Sequence, residues 1–527
     1  MKKKRLITFG TLLILACLLV GVTWFHEQEK QKSGDIEVVA TFYPMYEFTK
    51  NVVGDQGHVS LLIKAGKEPH DFDPSTKDVA TIQKADALVY DNESMETWVP
   101  KVKKSIGKSK TDFIRATGNM VLLAGSEEGE EEGHEGHHHD FDPHVWLSPQ
   151  RSIKLVENIR DSLSKKYPKK AKLFKKNAAS YIKKLQALDK EYSSALSAAK
   201  QKSFITQHAA FAYLALDYGL KQVYINGISA ESEPSAQHLA DLTQQVKDSG
   251  IKYVYFEENA SSAVSETLAK EAGVETLVLN PIESLTQQQM DKGQDYFSVM
   301  HQNLKNLRKT TDKEGQELAS KEAEKTVQKG YFKDEEVSNR SLSDWTGSWQ
   351  SVYPYLQDGS LDQVWDYKAK LNKDMTAKEY KDYYSKGYKT KLNKDMTAKE
   401  YKDYYSKGYK TDVEVISING KKNQVTFTQK GKKQTFTYKY VGYKILTYKK
   451  GNRGVRYLFE TKNSKAGAFR YIQFSNHNIS DTKAEHFHLF WGDTSQDAIL
   501  QEMDNWPTYY PAKMSGHDIA QDLVAHS

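Results

Sequence analysis

Residues 152–199 read SIKLVENIRDSLSKKYPKKAKLFKKNAASYIKKLQALDKEYSSALSAA, and this stretch decides the fold. Apolar side chains recur along it at helical spacing, first from Leu155 to Leu163 and then from Leu173 to Leu196. Pro168 separates the two runs, because a proline ring is accepted at the start of a helix and breaks its interior. The second helix is predicted to be about 30 residues long, or roughly 45 Å at 1.5 Å per residue. A helix of this length indicates a spar that joins two lobes.

Strands alternate with amphipathic helices on both sides of this helix pair. Such alternation predicts a parallel sheet that is covered on both faces in each lobe. Before the pair, the pattern predicts strands at 37–41, 59–63, 87–90 and 112–115 and helices at 45–53 and 76–84. After it, the pattern predicts strands at 204–206, 222–224, 253–256 and 276–279 and helices at 235–247, 262–272 and 286–307.

The last part of the chain has a different pattern. Its alternating segments are rich in Tyr, Thr and Val and are predicted to be strands at 412–418, 424–429, 433–441 and 454–461. Asn419-Gly420 and Lys430-Gly431 are of the type that forms hairpin turns. The pattern therefore predicts an antiparallel, barrel-like β domain.

A 21-residue segment at the start of this region occurs twice in tandem. Residues 370–390 (KLNKDMTAKEYKDYYSKGYKT) recur without a mismatch as residues 391–411. Two units are too few for a solenoid. We expect one copy to fill the native place in the domain and the other to lengthen a helical insertion.

Composition limits the classes of protein that the chain can belong to. A length of 527 residues predicts about two to four domains. The net charge of +6 is small and the lysines are spread out, so the sequence does not indicate binding to nucleic acid. The single cysteine, Cys17, excludes an internal disulfide and a cysteine-based zinc site. Any metal must therefore be held by His, Asp and Glu.

The N-terminus predicts export. Four basic residues at 2–5 precede an apolar stretch at 6–25, and Ile14-Leu15-Ala16-Cys17 resembles a bacterial lipobox with Cys17 as the lipidated residue. The residues after Cys17 stay apolar, and about 20 such residues can also span a bilayer uncleaved. Segment 1–25 is therefore a signal peptide with a lipobox or, alternatively, a transmembrane anchor. In both cases the rest of the chain acts outside the cytoplasmic membrane.

Histidines are concentrated in an acidic tract at about 126–141. Imidazole and carboxylate groups bind borderline metals such as zinc, and a tract with so little apolar surface is predicted to stay flexible. We interpret it as an accessory metal collector, with a merely solvated acidic loop as the alternative. The tract holds His134, His137, His138 and His139.

Three further histidines lie on loops at the mouths of predicted β/α units, where α/β sheets hold ligands. They are His70, His144 and His208. The β domain adds a second set, because His486 and His488 share one strand face at a period of two, and His477 can return to them across a turn. A histidine of either set taken alone could be structural or superficial, but each set together predicts a metal site.

The motifs around the first set resemble those of the zinc-binding solute receptors of ABC importers, the cluster A-I receptors with a rigid helix between two lobes. These motifs are Glu68-Pro69-His70, Asp142-Pro143-His144-Val145-Trp146 and Gln207-His208-Ala209-Ala210-Phe211. The resemblance covers about residues 36–310. It implies that three histidines and one carboxylate hold the metal in the cleft between the lobes, and the carboxylate position matches Glu283. Such a set suits Zn²⁺, whereas manganese favours more oxygen ligands.

The second set, with Trp345-Thr346-Gly347-Ser348-Trp349 and Tyr509-Tyr510-Pro511, is similar to the ZinT family of calycin-like zinc-binding proteins. This resemblance covers about residues 340–527 and leaves 311–339 as a linker. In this order, the two resemble Gram-positive zinc lipoproteins with a receptor fused to a ZinT-like domain. The expected fold is a two-lobed α/β metal receptor followed by a mainly antiparallel, lipocalin-like β barrel.

The two resemblances together imply a high-affinity zinc-binding component of an ABC importer. It would bind two Zn²⁺ ions, be held on the extracellular membrane face by a lipid anchor, act as a monomer, and deliver zinc to the permease and its ATPase. It would not be an enzyme, because a closed four-ligand shell leaves no position for a catalytic water. The alternatives are a zinc-dependent hydrolase, for which the sequence lacks a His-Glu-x-x-His motif, and a surface adhesin or interaction protein with structural zinc.

Overall fold

The computed structural model describes residues 36–65, 67–125, 141–228, 234–258, 261–316, 318, 326–371, 397–448, 451–476 and 478–525. None of the helices within these ranges has the length and apolar composition that a membrane span requires. Several residues with a predicted role lie outside the described residues: Cys17, His134, His137, His138, His139 and His477.

The first lobe is built on a four-stranded parallel sheet with the order β2-β1-β3-β4. Its strands are β1 Ile36–Ala40, β2 Gly57–Leu61, β3 Ala87–Tyr90 and β4 Asp112–Arg115. Its helices are α1 Tyr43–Val53, α2 Thr76–Lys84 and α3 Val99–Ser105. Because the strands are parallel, their carboxyl ends and the loops that follow lie at one edge of the sheet.

A pair of helices follows, α4 Pro149–Lys166 and α5 Ala171–Leu196. The 26 residues of α5 correspond to roughly 39 Å at 1.5 Å per residue. Tyr181 of α5 packs against Phe48 of α1, with ring centroids 5.9 Å apart. The hydroxyl of Tyr192, three turns further on, donates to the carbonyl of Met300 in the second lobe. One long helix thus contacts both lobes, which confirms the predicted spar.

The second lobe repeats the topology of the first, with a parallel sheet in the order β6-β5-β7-β8. Its strands are β5 Ser203–Thr206, β6 Lys221–Tyr224, β7 Tyr253–Phe256 and β8 Glu275–Val278. Its helices are α6 Ala212–Tyr218, α7 Ala236–Ser249, α8 Ala263–Ala272, α9 Gln287–Asp291 and α10 Tyr296–Thr311. Beyond α10 the chain still packs on this lobe, since Leu318 is buried.

The structure corrects some of the element boundaries predicted for the lobes. The strand expected at 59–63 runs from residue 57 to 61, because all of those residues pair with β1. The single helix expected at 286–307 is two helices: Gly293 adopts a left-handed φ of 83°, and Asp295 then caps α10. Helices α3 and α6 have no predicted counterpart, since seven residues are too few to show a helical period.

The last domain is a nine-stranded antiparallel sheet with the order β12-β11-β10-β9-β17-β16-β15-β14-β13. Its strands are β9 Gly347–Ser351, β10 Val413–Asn419, β11 Gln424–Gln429, β12 Lys432–Thr437, β13 Lys439–Thr447, β14 Arg453–Glu460, β15 Tyr471–Ser475, β16 Phe487–Gly492 and β17 Thr508–Pro511. Strands β12 and β13 form opposite edges of the sheet, yet Tyr438 alone separates them in sequence. The sheet must therefore curl until its edges approach, which gives a half-barrel and confirms the predicted antiparallel, lipocalin-like domain.

Details of this barrel domain differ from the prediction. The strand expected at 433–441 is two strands on opposite sheet edges. Lys430-Gly431 is a tight hairpin turn, with φ values of 48° and 73°, as predicted. At Asn419-Gly420 the connection is longer, because a helical turn over Gly420–Lys422 leads to Asn423 in a left-handed conformation.

The described part of the barrel domain also contains helices, and a buried apolar cluster formed by most of them continues into the receptor lobes. They are α11 Tyr353–Gln357, α12 Asp362–Leu371, α13 Ala398–Tyr409, α14 Gln496–Leu500 and α15 Gly516–Ala525. Helix α13 comes from the second copy of the duplicated segment and stacks Tyr405 on Trp365 of α12. Residues 372–390 of the first copy lie outside the described residues.

Candidate metal centre

Four side chains from four separate loops meet in the cleft between the lobes. His70 follows β2, His144 precedes a helical turn at Val145–Leu147, His208 follows β5 and Glu283 follows β8. One potential ligand atom from each lies within 4.8 Å of all the others. His144, His208 and Glu283 are buried, and the side chain of His70 exposes only 8% of its surface. The structure thus brings together the four predicted cleft ligands.

The distances between these atoms suit the tetrahedral coordination of a metal ion. The Nε2 atom of His144 lies 3.1 Å from Nε2 of His70 and 3.3 Å from Nε2 of His208. Oε1 of Glu283 lies 3.7, 3.4 and 3.5 Å from the Nε2 atoms of His70, His144 and His208. Ligands at 2.0–2.1 Å from Zn²⁺ in a tetrahedron are about 3.3–3.4 Å apart. The four atoms therefore surround a point at which a zinc ion fits.

Two carboxylates that are not part of the ligand set fix the histidine rings. Oδ1 of Asp142 lies 2.8 Å from Nδ1 of His144 and also accepts from its backbone N–H at 2.9 Å. Oε1 of Glu257 forms a short hydrogen bond with Nδ1 of His208. Protonated Nδ1 atoms leave Nε2 with its lone pair facing the centre, as metal-binding histidines require.

The electrostatics of the cleft favour a bound cation. Burial alone would raise the pKa of Glu283, but the three histidines outweigh it and hold the pKa well below its usual range. Burial would lower the pKa of His144 and His208, but their carboxylate partners outweigh it and raise both. For His70, which has no such partner at Nδ1 among the described residues, burial prevails and lowers the pKa. The centre thus combines an ionised acid with two histidines, His144 and His208, whose raised pKa favours a proton that metal binding must displace.

The loop that carries Glu283 is rigid. Ile282 is buried and has a φ of 59°, a left-handed conformation that costs a β-branched residue about 1–3 kcal/mol. The side chain of Asn280 compensates by accepting from the backbone N–H of Ile282 at 2.7 Å. The indole of Trp146 donates to the carbonyl of Pro281 at 2.8 Å. This bond ties the Glu283 loop to the turn that follows His144.

The predicted second site is only partly described. His486 lies just before β16 and stacks on Tyr510, with ring centroids 5.0 Å apart, and its Nδ1 is 3.7 Å from Oδ2 of Asp522. Nδ1 of His488 lies 2.8 Å from the hydroxyl of Thr508. The two imidazole rings are 6.3 Å apart between centroids. Among the described residues, which exclude His477, the cleft set is the one group of three or more potential ligands.

Three carboxylates that contact the predicted histidine ligands were not identified from the sequence. They are Asp142, Glu257 and Asp522. Asp142 stands two residues before His144 in the Asp-Pro-His motif, so its position in that motif was the available signal. Glu257 directly follows β7, at the same edge of the sheet as His208. No local pattern predicts Asp522, because it reaches His486 from the far end of the chain.

Comparison with known proteins matches two parts of the chain to two families. Residues 38–310 match the family model of ZnuA, the periplasmic zinc-uptake complex component A. Residues 323–394 and 389–526 match ZinT, described as periplasmic, lipocalin-like and involved in zinc recruitment. The two ZinT matches overlap at residues 389–394, where the two copies of the duplicated segment join, so each match contains one complete copy.

Full-length relatives have the same two-part organisation. The zinc-binding lipoprotein AdcA of Streptococcus pneumoniae serotype 4 is 57% identical over 519 residues, which cover 98% of this chain and 99% of that protein. The zinc-binding protein AdcA of Streptococcus pyogenes serotype M1 is 57% identical over 542 residues, which cover 100% of both chains. The crystal structure of Zn(II)-bound AdcA from S. pneumoniae has a TM-score of 0.81 at 57% identity, covering 94% of this chain and 100% of that one.

Proposed function

This chain belongs to the zinc-uptake complex component A family, in the form that carries a ZinT module, and we propose that it captures Zn²⁺ outside the cell and delivers it to a membrane permease. Members of this family are the zinc-binding, non-enzymatic components of ABC uptake systems. In this proposal the four cleft side chains hold the ion that is transported. The permease and its ATPase are the partners.

One observation carries this proposal: four ligand atoms converge at tetrahedral spacing in a buried cleft. Three imidazoles and one carboxylate complete a zinc shell and leave no position for a catalytic water. Manganese prefers more oxygen ligands than this cleft offers. The arrangement therefore favours binding and release of the ion over hydrolysis.

Metal titration of single-site variants tests the cleft. We expect His144→Ala to lower the zinc stoichiometry by one ion per chain, because it removes the ligand closest to the other two histidines. His301→Ala is the matched control, since this histidine is half-exposed on α10 and pairs with Glu191. Full zinc stoichiometry in His144→Ala would contradict the assignment.

We further propose a second zinc site in the barrel domain, formed by His477, His486 and His488. The ZinT match and the positions of His486 and His488 at one end of β16 support it. A His486→Ala/His488→Ala variant should bind one zinc ion in place of two and retain the cleft ion. If this variant still binds two ions, the second site lies elsewhere.

The histidines of the acidic tract, His134, His137, His138 and His139, are proposed to collect zinc for the cleft. Deleting residues 126–140 should slow zinc loading in a stopped-flow measurement but leave the final stoichiometry unchanged. A loss of stoichiometry would instead make the tract part of a binding site. An unchanged loading rate would remove its role as a collector.

We propose that Cys17 is lipidated and anchors the chain to the extracellular face of the cytoplasmic membrane. The lipobox-like Ile14-Leu15-Ala16-Cys17 supports this, and relatives of 57% identity are described as lipoproteins. Cys17→Ala should then abolish labelling by a palmitate analogue. Unlabelled wild-type chain that stays in the membrane fraction would favour the alternative, an uncleaved N-terminal anchor.

A further inference from the structure

Side chains of the barrel domain form hydrogen bonds with the backbone N–H and carbonyl groups of two adjacent receptor residues, Val121 and Leu122. The N–H of Val121 donates to Oε1 of Gln363 at 3.0 Å, and its carbonyl accepts from the hydroxyl of Tyr367 at 2.6 Å. The N–H of Leu122 donates to Oε1 of Gln521 at 2.8 Å, and its carbonyl accepts from Nε2 of Gln521 at 2.7 Å. Val121 and Leu122 are buried, so losing a partner would leave a backbone group unsatisfied.

This stretch leads directly to a residue that orients a cleft ligand. The carbonyl of Leu123 accepts from the backbone N–H of Asp142 at 2.9 Å. The hydroxyl of Tyr213 joins the same two residues, since it accepts from the N–H of Leu123 and donates to the carbonyl of Asp142. The carboxylate of Asp142 then holds Nδ1 of His144. Side chains of the barrel domain thus support the backbone that positions a cleft ligand.

The same helix, α15, also reaches the proposed barrel site. Asp522, the residue after Gln521, accepts from the hydroxyl of Tyr510 at 2.6 Å. Its Oδ2 lies 3.7 Å from Nδ1 of His486, and the ring of Tyr510 stacks on that histidine. Two adjacent residues of one helix therefore contact the surroundings of both metal sites.

We propose that Gln521 is a positioning residue for the cleft and that α15 couples the two zinc sites. Zinc at the barrel site fixes His486 against Asp522 and Tyr510, which holds α15 in place. Gln521 then holds Leu122, and through it Asp142 and His144, in the arrangement that binds the cleft ion. Zinc in the barrel domain should therefore slow the release of zinc from the cleft. The inference rests on the proposed function, since it requires both sites to bind zinc.

The coupling predicts a measurable difference in rate. Zinc release from the cleft to a chelator should be about 5–10 times slower in the two-zinc protein than in His486→Ala/His488→Ala, a factor at the lower end of typical couplings between sites. Gln521→Met should remove this difference, because methionine keeps the volume but pairs with neither group of Leu122. Gln434→Met is the control, since Gln434 is exposed on β12, an edge strand of the sheet.

A spectroscopic measurement separates positioning from general stability. With Co²⁺ in the cleft of the His486→Ala/His488→Ala background, Gln521→Met should shift the visible d–d bands, which report ligand geometry. Gln434→Met should leave them unchanged. Gln521→Asn, which keeps the amide on a shorter side chain, should restore the bands only in part.

The outcomes distinguish this inference from the proposed function. If the wild-type chain does not bind two zinc ions, the proposed function fails first. If it binds two, but the release rate from the cleft is the same with and without a functional barrel site, the coupling is wrong. If Gln521→Met retains the full rate difference and the wild-type cobalt spectrum, Gln521 is not the positioning residue.

Discussion

Each of two buried histidines in the cleft is paired with a carboxylate that selects which ring nitrogen faces the metal. His144 relies on Asp142 and His208 relies on Glu257, whereas the Nδ1 of His70 has no carboxylate partner among the described contacts. These pairs raise the pKa of both histidines and also fix their rings. Affinity in the cleft thus depends on residues that do not touch the ion.

Replacing Asp142 by Asn tests this dependence. The side chain keeps its size but loses the charge that stabilises a protonated Nδ1, so zinc affinity should fall by about 10–100-fold, the usual range for such partners. Competition with a chelator of known affinity measures the change. Asp291→Asn, on the exposed end of α9, should bind zinc as the wild type does. Wild-type affinity in Asp142→Asn would show that Asp142 does not orient His144.

The raised pKa values of His144 and His208 predict proton release on zinc binding. Groups with a raised pKa hold protons at pH values above the usual 6.5 of imidazole, and zinc binds only the neutral ring. More protons should therefore leave per zinc ion as the pH falls from 8 towards 6, and affinity should fall in the same direction. Calorimetry in buffers of different ionisation enthalpy counts these protons. A count that stays near zero across this range would contradict the prediction.

The ligands were easier to predict than their partners. His70, His144 and His208 occur in recognisable motifs that follow or precede regular elements, so their positions in the fold can be inferred from sequence. Glu257 becomes a partner of His208 only because β7 lies beside β5 in the sheet, which no local pattern states. Sequence reasoning therefore found the histidine ligands and missed Glu257, whose role depends on the order of the strands in the sheet.

At the scale of elements, the duplicated segment has the most unusual consequence. Helix α13 comes from the second copy, and its capping box of Thr397 and Glu400 has an identical counterpart in Thr376 and Glu379. Gly408 is needed where it lies, because a Cβ there would be 2.3 Å from the ring of Trp506. In the sequence, the first copy has Gly387 at the equivalent position. Both copies therefore have the residue types that the position of α13 in the barrel domain requires.

Deletion of residues 370–390 should leave the domain folded, since the remaining copy supplies every residue of α13. In the shortened chain, Tyr409→Ala should destabilise the domain by about 3 kcal/mol, as expected for a buried aromatic residue. In the full chain the same change should cost less, because the first copy carries Tyr388 at the equivalent position. Urea unfolding of both backgrounds gives the comparison. Equal costs would mean that the first copy cannot replace the second.

The boundaries of helices and strands were predicted best where a local sequence signal marks the boundary. Helix α2 begins as predicted because Ser75 and Asp78 form a capping box. The prediction of a single strand at 433–441 was wrong. The alternation of apolar and polar residues continues across Tyr438, although the chain passes there from one edge of the sheet to the other. The curl of the sheet decides this, and curl depends on all nine strands together.

For the whole molecule, the contact between the two domains is specific and buried. The guanidinium of Arg151 lies between the rings of Tyr213 and Tyr367, 4.6 and 4.9 Å from their centroids. It also pairs with Asp217, with Nε 2.7 Å from Oδ2. Lys370 of α12 contacts the other oxygen of that carboxylate at 2.7 Å. The barrel domain thus completes an ion network of the receptor.

Tyr367→Phe should weaken this contact by about 1–3 kcal/mol, because the carbonyl of Val121 loses its buried hydrogen-bond partner. Differential scanning calorimetry should then resolve two transitions, one for each domain, whereas we expect a single transition for the wild type. Tyr331→Phe, at a position with 37% exposure, is the control. Separate transitions in the wild type would show that the domains unfold independently in spite of this interface.

The interface also holds the two proposed zinc sites together in one molecule. Since α15 contacts the surroundings of both proposed sites, an ion that leaves the barrel domain starts its path beside the cleft of the same molecule. Two sites held together in this way experience an effective concentration on the order of millimolar, whatever the concentration in the medium. A chain built like this would depend on the medium for its first encounter with zinc and on its own geometry for the second.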